Sequence, residues 1–320
     1  MLTYLLFLVG FVLLIKGADI LVIGASAIAR YYHISDIVIG LTIVSFGTSL
    51  PELIVSVVSA FKGSADLAIG NVLGSNVANI LLILGVSALF YSLPIKENTM
   101  LIEIPFSLTA VLLLGFLANA ALLADTPQLM LSRIDGLLLL FFFSLFMAYI
   151  YRLALQDSVP EEIDTSERPL TLRNAGLYVL GGVIGLFLGG QWVVNGAVKI
   201  ATAFGVSQSL IGLTIVAVGT SLPELVTSAM AAYRKNTDIA VGNVIGSNIF
   251  NILWILGLSS LIRPLAFDVL NNTDILMVIF ASTLLLLGLA VGKKYTINRW
   301  KGMGFILVYA TYIGYLIQRG

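Results

Sequence analysis

Two glutamates sit in almost the same words: "FGTSLPEL" at Phe46–Leu53 carries Glu52, and "VGTSLPEL" at Val218–Leu225 carries Glu224. A charged side chain at the centre of a membrane helix costs about 2.5–3.5 kcal/mol on insertion scales, so a duplicated one needs a functional reason. Glu52 has Thr48 and Ser49 about one turn before it and Ser56 one turn after, all on one helix face. Glu224 has Thr220, Ser221 and Ser228 in the same places. Pro51 and Pro223 lack an N–H and clash with the carbonyl four residues back, where Gly47 and Gly219 are already weak helix positions. The expectation is a helix broken in two, with carbonyls freed around Ser45–Thr48 and at the matching positions of the second motif. Carboxylates, hydroxyls and free carbonyls together are hard oxygen ligands, suited to calcium or sodium. With no cysteine and one histidine, His33, the chain offers no thiolate or imidazole cluster. A serine hydrolase built on this motif would lack a nearby base.

A second pattern is also duplicated: "GNVLGSNVANILLILG" at 70–85 and "GNVIGSNIFNILWILG" at 242–257. Ser75 and Asn79 lie four residues apart, as do Ser247 and Asn251. Gly70/Gly74 and Gly242/Gly246 are small-xxx-small pairs that let helices approach closely. Asn71, Asn76, Asn243 and Asn248 add amides able to tie broken backbone to its neighbours.

The elements that must position these residues follow from composition. The 320 residues are 59% hydrophobic and 11% charged, with a mean hydropathy of +1.03; soluble domains run near 45–50% and about 25%. This is an all-α integral membrane protein whose principal partner is the lipid bilayer. Its balanced charge (17 Lys and Arg, 17 Asp and Glu) points to no nucleic-acid partner. The start lacks a basic flank and reads as an uncleaved first span. Apolar runs give ten spans, near 2–29, 36–61, 66–91, 100–124, 133–153, 174–202, 208–233, 238–262, 273–291 and 300–318. The polar stretch 155–173 is the one clear linker, too short for a folded regulatory domain of ordinary size.

The halves repeat without a gap at an offset of 172: between Ile39 and Leu89, 31 of 51 positions match Ile211–Leu261. Five spans is an odd number, so the second half enters the bilayer from the opposite side. The predicted architecture is two inverted five-helix repeats, 1–154 and 174–320, with broken helices 2 and 7 at the core and the site between them. Eleven basic residues lie in loops opposite Met1 and five on its own side. The rule that basic loops stay inside places both termini outside and the linker in the cytoplasm. Lys16 and Asp19 are expected to form a local pair, and Glu103 an interfacial residue.

At these motifs the sequence resembles the calcium/cation antiporter superfamily, and within it the prokaryotic sodium/calcium exchanger branch, over essentially the whole chain. The paired motifs, 40–85 and 212–257, are specific to it. The resemblance implies a cell-membrane antiporter, not an enzyme, without cofactor, functional as a monomer, that extrudes calcium electrogenically against sodium. It implies a calcium site made by Glu52 and Glu224 with the carbonyls of Thr48 and Thr220. Flanking sodium sites would use Ser49, Ser75, Ser221 and Ser247 and the carbonyls of Ser45 and Ala217, with Asn79 and Asn251 at the middle. Long first and sixth helices would slide across this core. The rival reading is a proton-coupled or other divalent-cation exchanger. Gly74 and Gly246 stand where the proton-coupled branch carries a glutamate, and Asn251 where potassium-dependent relatives carry an aspartate.

Overall fold

The computed structural model describes residues 2–120, 129–156, 170–205, 217–292 and 295–319. Helices occupy every expected span: α1 Leu2–Tyr32, α2 Asp36–Lys62, α3 Ala65–Phe90, α4 Thr99–Asn119, α5 Arg133–Gln156, α6 Leu172–Ala203, α7 (described from Ala217 to Tyr233), α8 Thr237–Ile262, α9 Asn271–Ala290 and α10 Arg299–Arg319. Among the described residues seven are long and apolar enough to cross a membrane alone, and α2 makes eight. The first part of the expected seventh span, 208–216, and most of the 155–173 linker lie outside the described residues.

The sequence breaks α2 where expected. Asp36–Thr48 and Leu50–Lys62 meet at 50°, with Ser49 between them at φ −83°, ψ 9°. Pro51 then sits in the first turn of the new helix, where its missing N–H is no loss. Ser221 repeats this at φ −84°, ψ 6°, followed by Pro223. The break frees less backbone than expected. The Ser45 carbonyl still accepts the Ser49 N–H at 3.0 Å and the Thr48 hydroxyl at 3.3 Å.

Burial sorts the helices into centre and rim. The most apolar windows of α3 and α8 are 78% and 94% buried, against 33% for α1 and 28% for α5 and α6. The α8 glycines explain part of this closeness: a Cβ on Gly242 would lie 2.9 Å from the Ile37 carbonyl, and one on Gly246 2.8 Å from that of Leu41. The stretch that would face Gly70 and Gly74 by the repeat lies outside the described residues.

Along the rim, α1 and α6 run antiparallel on a seam of glycines. A Cβ on Gly10 would lie 2.9 Å from the Gly189 carbonyl, one on Gly17 2.9 Å from the Leu186 nitrogen, and one on Gly24 2.8 Å from the Ala175 carbonyl. Gly182 and Gly189 return the contact at 2.8 Å. Backbone touches backbone, and any side chain here would force the helices apart. The same seam carries α6 over both breaks, with Val183 against Gly47 and Val194 against Gly219.

Two short antiparallel ribbons join the halves. Leu93–Pro94, between α3 and α4, pairs with Thr296–Ile297, between α9 and α10. Met130–Leu131, between α4 and α5, pairs with Leu265–Ala266, between α8 and α9. Successive loops alternate between membrane faces. The α3–α4 loop and its repeat counterpart, α8–α9, therefore lie on opposite faces, which is the inversion expected from the odd span number.

Two expectations are corrected. Asp19 pairs not with Lys16 but with Arg234 after α7, whose Nε donates to Asp19 Oδ1 at 2.6 Å. Glu103 is not interfacial: it is 1% exposed and takes a hydrogen bond from the Tyr149 hydroxyl. A π-helical turn at Thr99–Glu103 and the Phe106–Phe146 ring stack one turn on place it inside the α4–α5 contact.

Candidate cation site

The breaks of α2 and α7 meet α8 and α3 at the centre, and they meet crosswise. Ser49 follows Thr48 in α2, yet its Oγ donates to Glu224 Oε1 of α7 at 2.8 Å and lies 3.0 Å from Ser247 Oγ of α8. Ser221 of α7 reaches Glu52 Oε1 at 3.4 Å and lies 3.1 Å from Ser75 Oγ of α3. Ser75 Oγ adds a bond to Glu52 Oε1 at 3.3 Å. Each carboxylate is thus held by the serine of the other half, in two matching triads: Glu52 with Ser75 and Ser221, and Glu224 with Ser49 and Ser247.

Asn71 and Asn243 brace the breaks. Asn243 Oδ1 accepts the Thr48 hydroxyl at 2.9 Å, and its Nδ2 donates to Ser228 Oγ at 2.9 Å and to the Glu224 carbonyl at 3.4 Å. Asn71 does the same for Thr220 (3.3 Å), Ser56 (3.0 Å) and the Glu52 carbonyl (3.4 Å). Each of these bonds has its image under the 172-residue offset, as a two-fold axis between the halves requires.

Glu52 and Glu224 are 0% and 1% exposed, and Asn79 and Asn251 1% and 0%. Each of the four keeps one buried oxygen with no hydrogen-bond partner among the described residues: Glu52 Oε2, Glu224 Oε2, Asn79 Oδ1 and Asn251 Oδ1. An unpartnered buried oxygen is costly, and an uncompensated buried charge more so. Buried oxygens left open by their own hydrogen-bond networks are candidate ligands for a cation. Among the described residues no group of three or more His, Cys, Asp or Glu converges, so the donors beyond the two carboxylates are neutral.

All the expected side chains from Thr48 to Ser75 and from Thr220 to Ser247 enter this network. Asn79 and Asn251 belong to a separate set of bonds, donating to Asn248 and Asn76 at 2.9 and 3.0 Å. Both lie in π-helical turns, Asn79–Ile83 and Phe250–Leu256, a distortion frequent at functional sites. Ala217 begins the described part of α7. Tying the broken backbone to its neighbours is the role expected of Asn71 and Asn243 from the sequence; which hydroxyls and carbonyls they hold is visible only in the structure.

A broken, inverted repeat with open oxygens at its centre defines a multi-pass membrane transporter rather than an enzyme. The chain belongs to the sodium/calcium exchanger protein family, whose profile matches residues 2–152 and 174–318. CaxA of Alkalimonas amylolytica is 42% identical over 312 residues, covering 95% of both chains. The sodium/calcium exchanger MaX1 of Methanosarcina acetivorans is 33% identical over 342 residues, covering 97% of both. Among solved structures, the sodium-calcium exchanger NCX_Mj soaked with sodium and strontium superposes with a TM-score of 0.81 at 33% identity over 98% of each chain.

Proposed function

We propose that this protein is a secondary antiporter that exchanges sodium for calcium across the plasma membrane by alternating access. The observation that carries this reading is the pair of buried carboxylates held crosswise by the two halves, each with one oxygen uncommitted. Calcium would sit between Glu52 and Glu224, with the carbonyls of Thr48 and Thr220 completing its shell. Sodium would use Ser49, Ser75, Ser221 and Ser247 with the carbonyls of Ser45 and Ala217. To serve, the Ser45 carbonyl would have to release the Thr48 hydroxyl. Asn79 and Asn251 supply neutral oxygens at the middle, so the site holds formal charge −2 and one calcium balances it.

Sodium and calcium then compete for overlapping oxygens, and either one neutralises the site. The paired helices α1 and α6 can slide over a neutral centre and are held back by an empty, doubly negative one. With more than two sodium ions per calcium the cycle is electrogenic, and the potential adds about 2.3 kcal/mol per net charge per 100 mV. The direction is calcium extrusion by a monomer of two units, 1–154 and 174–320. Both termini are outside and the 155–173 linker is in the cytoplasm.

Calcium-45 flux into proteoliposomes, driven by an imposed sodium or proton gradient, tests the reading. The sodium gradient should drive uptake, and Glu52→Gln or Glu224→Gln should reduce it to background. Flux driven by the proton gradient alone, or flux unchanged in both variants, would overturn it.

A further inference from the structure

We propose that Asn76 and Asn248 are positioning residues that turn the amides of Asn251 and Asn79 so that oxygen, not nitrogen, faces the cation site. The inference rests on the antiport reading, because it concerns how that same site presents its ligands.

One group in the chain of bonds has no choice of role. The backbone carbonyl of Asn248 can only accept, and Asn76 Nδ2 donates to it at 3.1 Å. That contact fixes which end of the Asn76 amide is nitrogen, and its Oδ1 therefore faces the other way. There it accepts Asn251 Nδ2 at 3.0 Å. Turning either amide over would set oxygen against oxygen or nitrogen against nitrogen. Asn251 is left with its nitrogen engaged and its Oδ1 buried and unpartnered among the described residues. The mirror chain runs from the Asn76 carbonyl, which accepts Asn248 Nδ2 at 3.4 Å, to Asn248 Oδ1, which accepts Asn79 Nδ2 at 2.9 Å. Asn79 Oδ1 is the unpartnered atom there.

All four side chains are at most 1% exposed, so bulk water cannot replace a lost partner. An unconstrained amide could present its NH₂ group to an approaching cation, and N–H dipoles repel positive charge. Asn76 and Asn248 carry no unpartnered atom of their own. Their side chains serve the ligand-bearing asparagines and each other's main chain. The pairing is again crosswise: Asn76 is three residues from Asn79 but orients Asn251.

Crosswise pairing makes the idea testable by double-mutant cycles on calcium affinity, measured by isothermal titration calorimetry on the purified full chain. Asn76→Leu keeps the side-chain shape and removes the amide; Asn251→Ala removes the ligand. Each should weaken calcium about tenfold, the range seen when an outer partner of a metal ligand is lost. The double variant should be no weaker than the worse single. Asn248→Leu with Asn79→Ala should behave alike, whereas Asn76→Leu with Asn79→Ala should multiply. A helix-tying role alone would not distinguish these pairs. If Asn76→Leu does not assemble, Asn76→Ser, a milder loss of the same amide, takes its place. Multiplicative losses for Asn76 with Asn251 and for Asn248 with Asn79 would overturn the inference while the wild type still binds and exchanges calcium. If the wild type binds none, the antiport reading falls first and the inference with it.

Discussion

Ser49 and Ser221 show that neighbours in sequence are not partners in the site. Ser49 is three residues from Glu52 but donates to Glu224. Ser49 and Ser221 are proposed sodium ligands, so Ser49→Ala and Ser221→Ala should each weaken sodium binding roughly tenfold. A double-mutant cycle on melting temperature should find Ser49 coupled to Glu224→Gln more strongly than to Glu52→Gln. Equal coupling would argue against the crosswise arrangement. The candidate ligand types are legible in the sequence because hydroxyls and a carboxylate beside a proline in an apolar run have few other uses. Their partners were not, because partnership depends on an axis that relates residues about 170 apart. Asp19 shows the same limit more sharply: its nearest cation in sequence is Lys16, yet it pairs with Arg234. Asp19→Arg should impair exchange, and Asp19→Arg with Arg234→Asp should restore much of it in a flux assay.

The helices themselves are legible almost to the residue, since hydropathy and the repeat both mark them. The π-helical turns at Asn79 and Phe250 and the burial of Glu103 are not. A one-residue widening of a helix leaves no trace in an apolar pattern, yet it rotates every side chain beyond it. The 172-residue offset also matches Gly17 to Gly189 and Gly24 to Gly196, but only the packing shows that they form one seam. Gly17→Val would drive a side chain into the α6 backbone, and overpacking of this kind costs about 1–3 kcal/mol. Because Gly17 lies outside the ion network, equilibrium calcium affinity should change little while turnover falls about tenfold. Loss of affinity in step with turnover would mean that the seam shapes the site rather than its cover.

Orientation in the bilayer can be read directly, because the chain contains no cysteine. A membrane-impermeant thiol reagent should label Thr3→Cys in intact cells and Ser158→Cys only in inverted vesicles. The reverse pattern would turn the molecule over in the bilayer, while the ion gradients would still set the direction of exchange. The two β-ribbons escaped sequence reading because each strand has two residues, too few for any alternation to register. They nonetheless constrain the whole. A disulfide between cysteines at Leu131 and Leu265, already paired in a ribbon, should leave exchange intact. One between Gly47 and Val183, from α2 to α6, should stop it. With main-chain pairing between the halves on both membrane faces, the core is tied at both ends, which disfavours a clamshell opening. If α1 and α6 slide as proposed, access is a slat moving in a fixed frame. Sturdiness and speed are then set by different parts, so the frame can be stiffened without slowing the cycle.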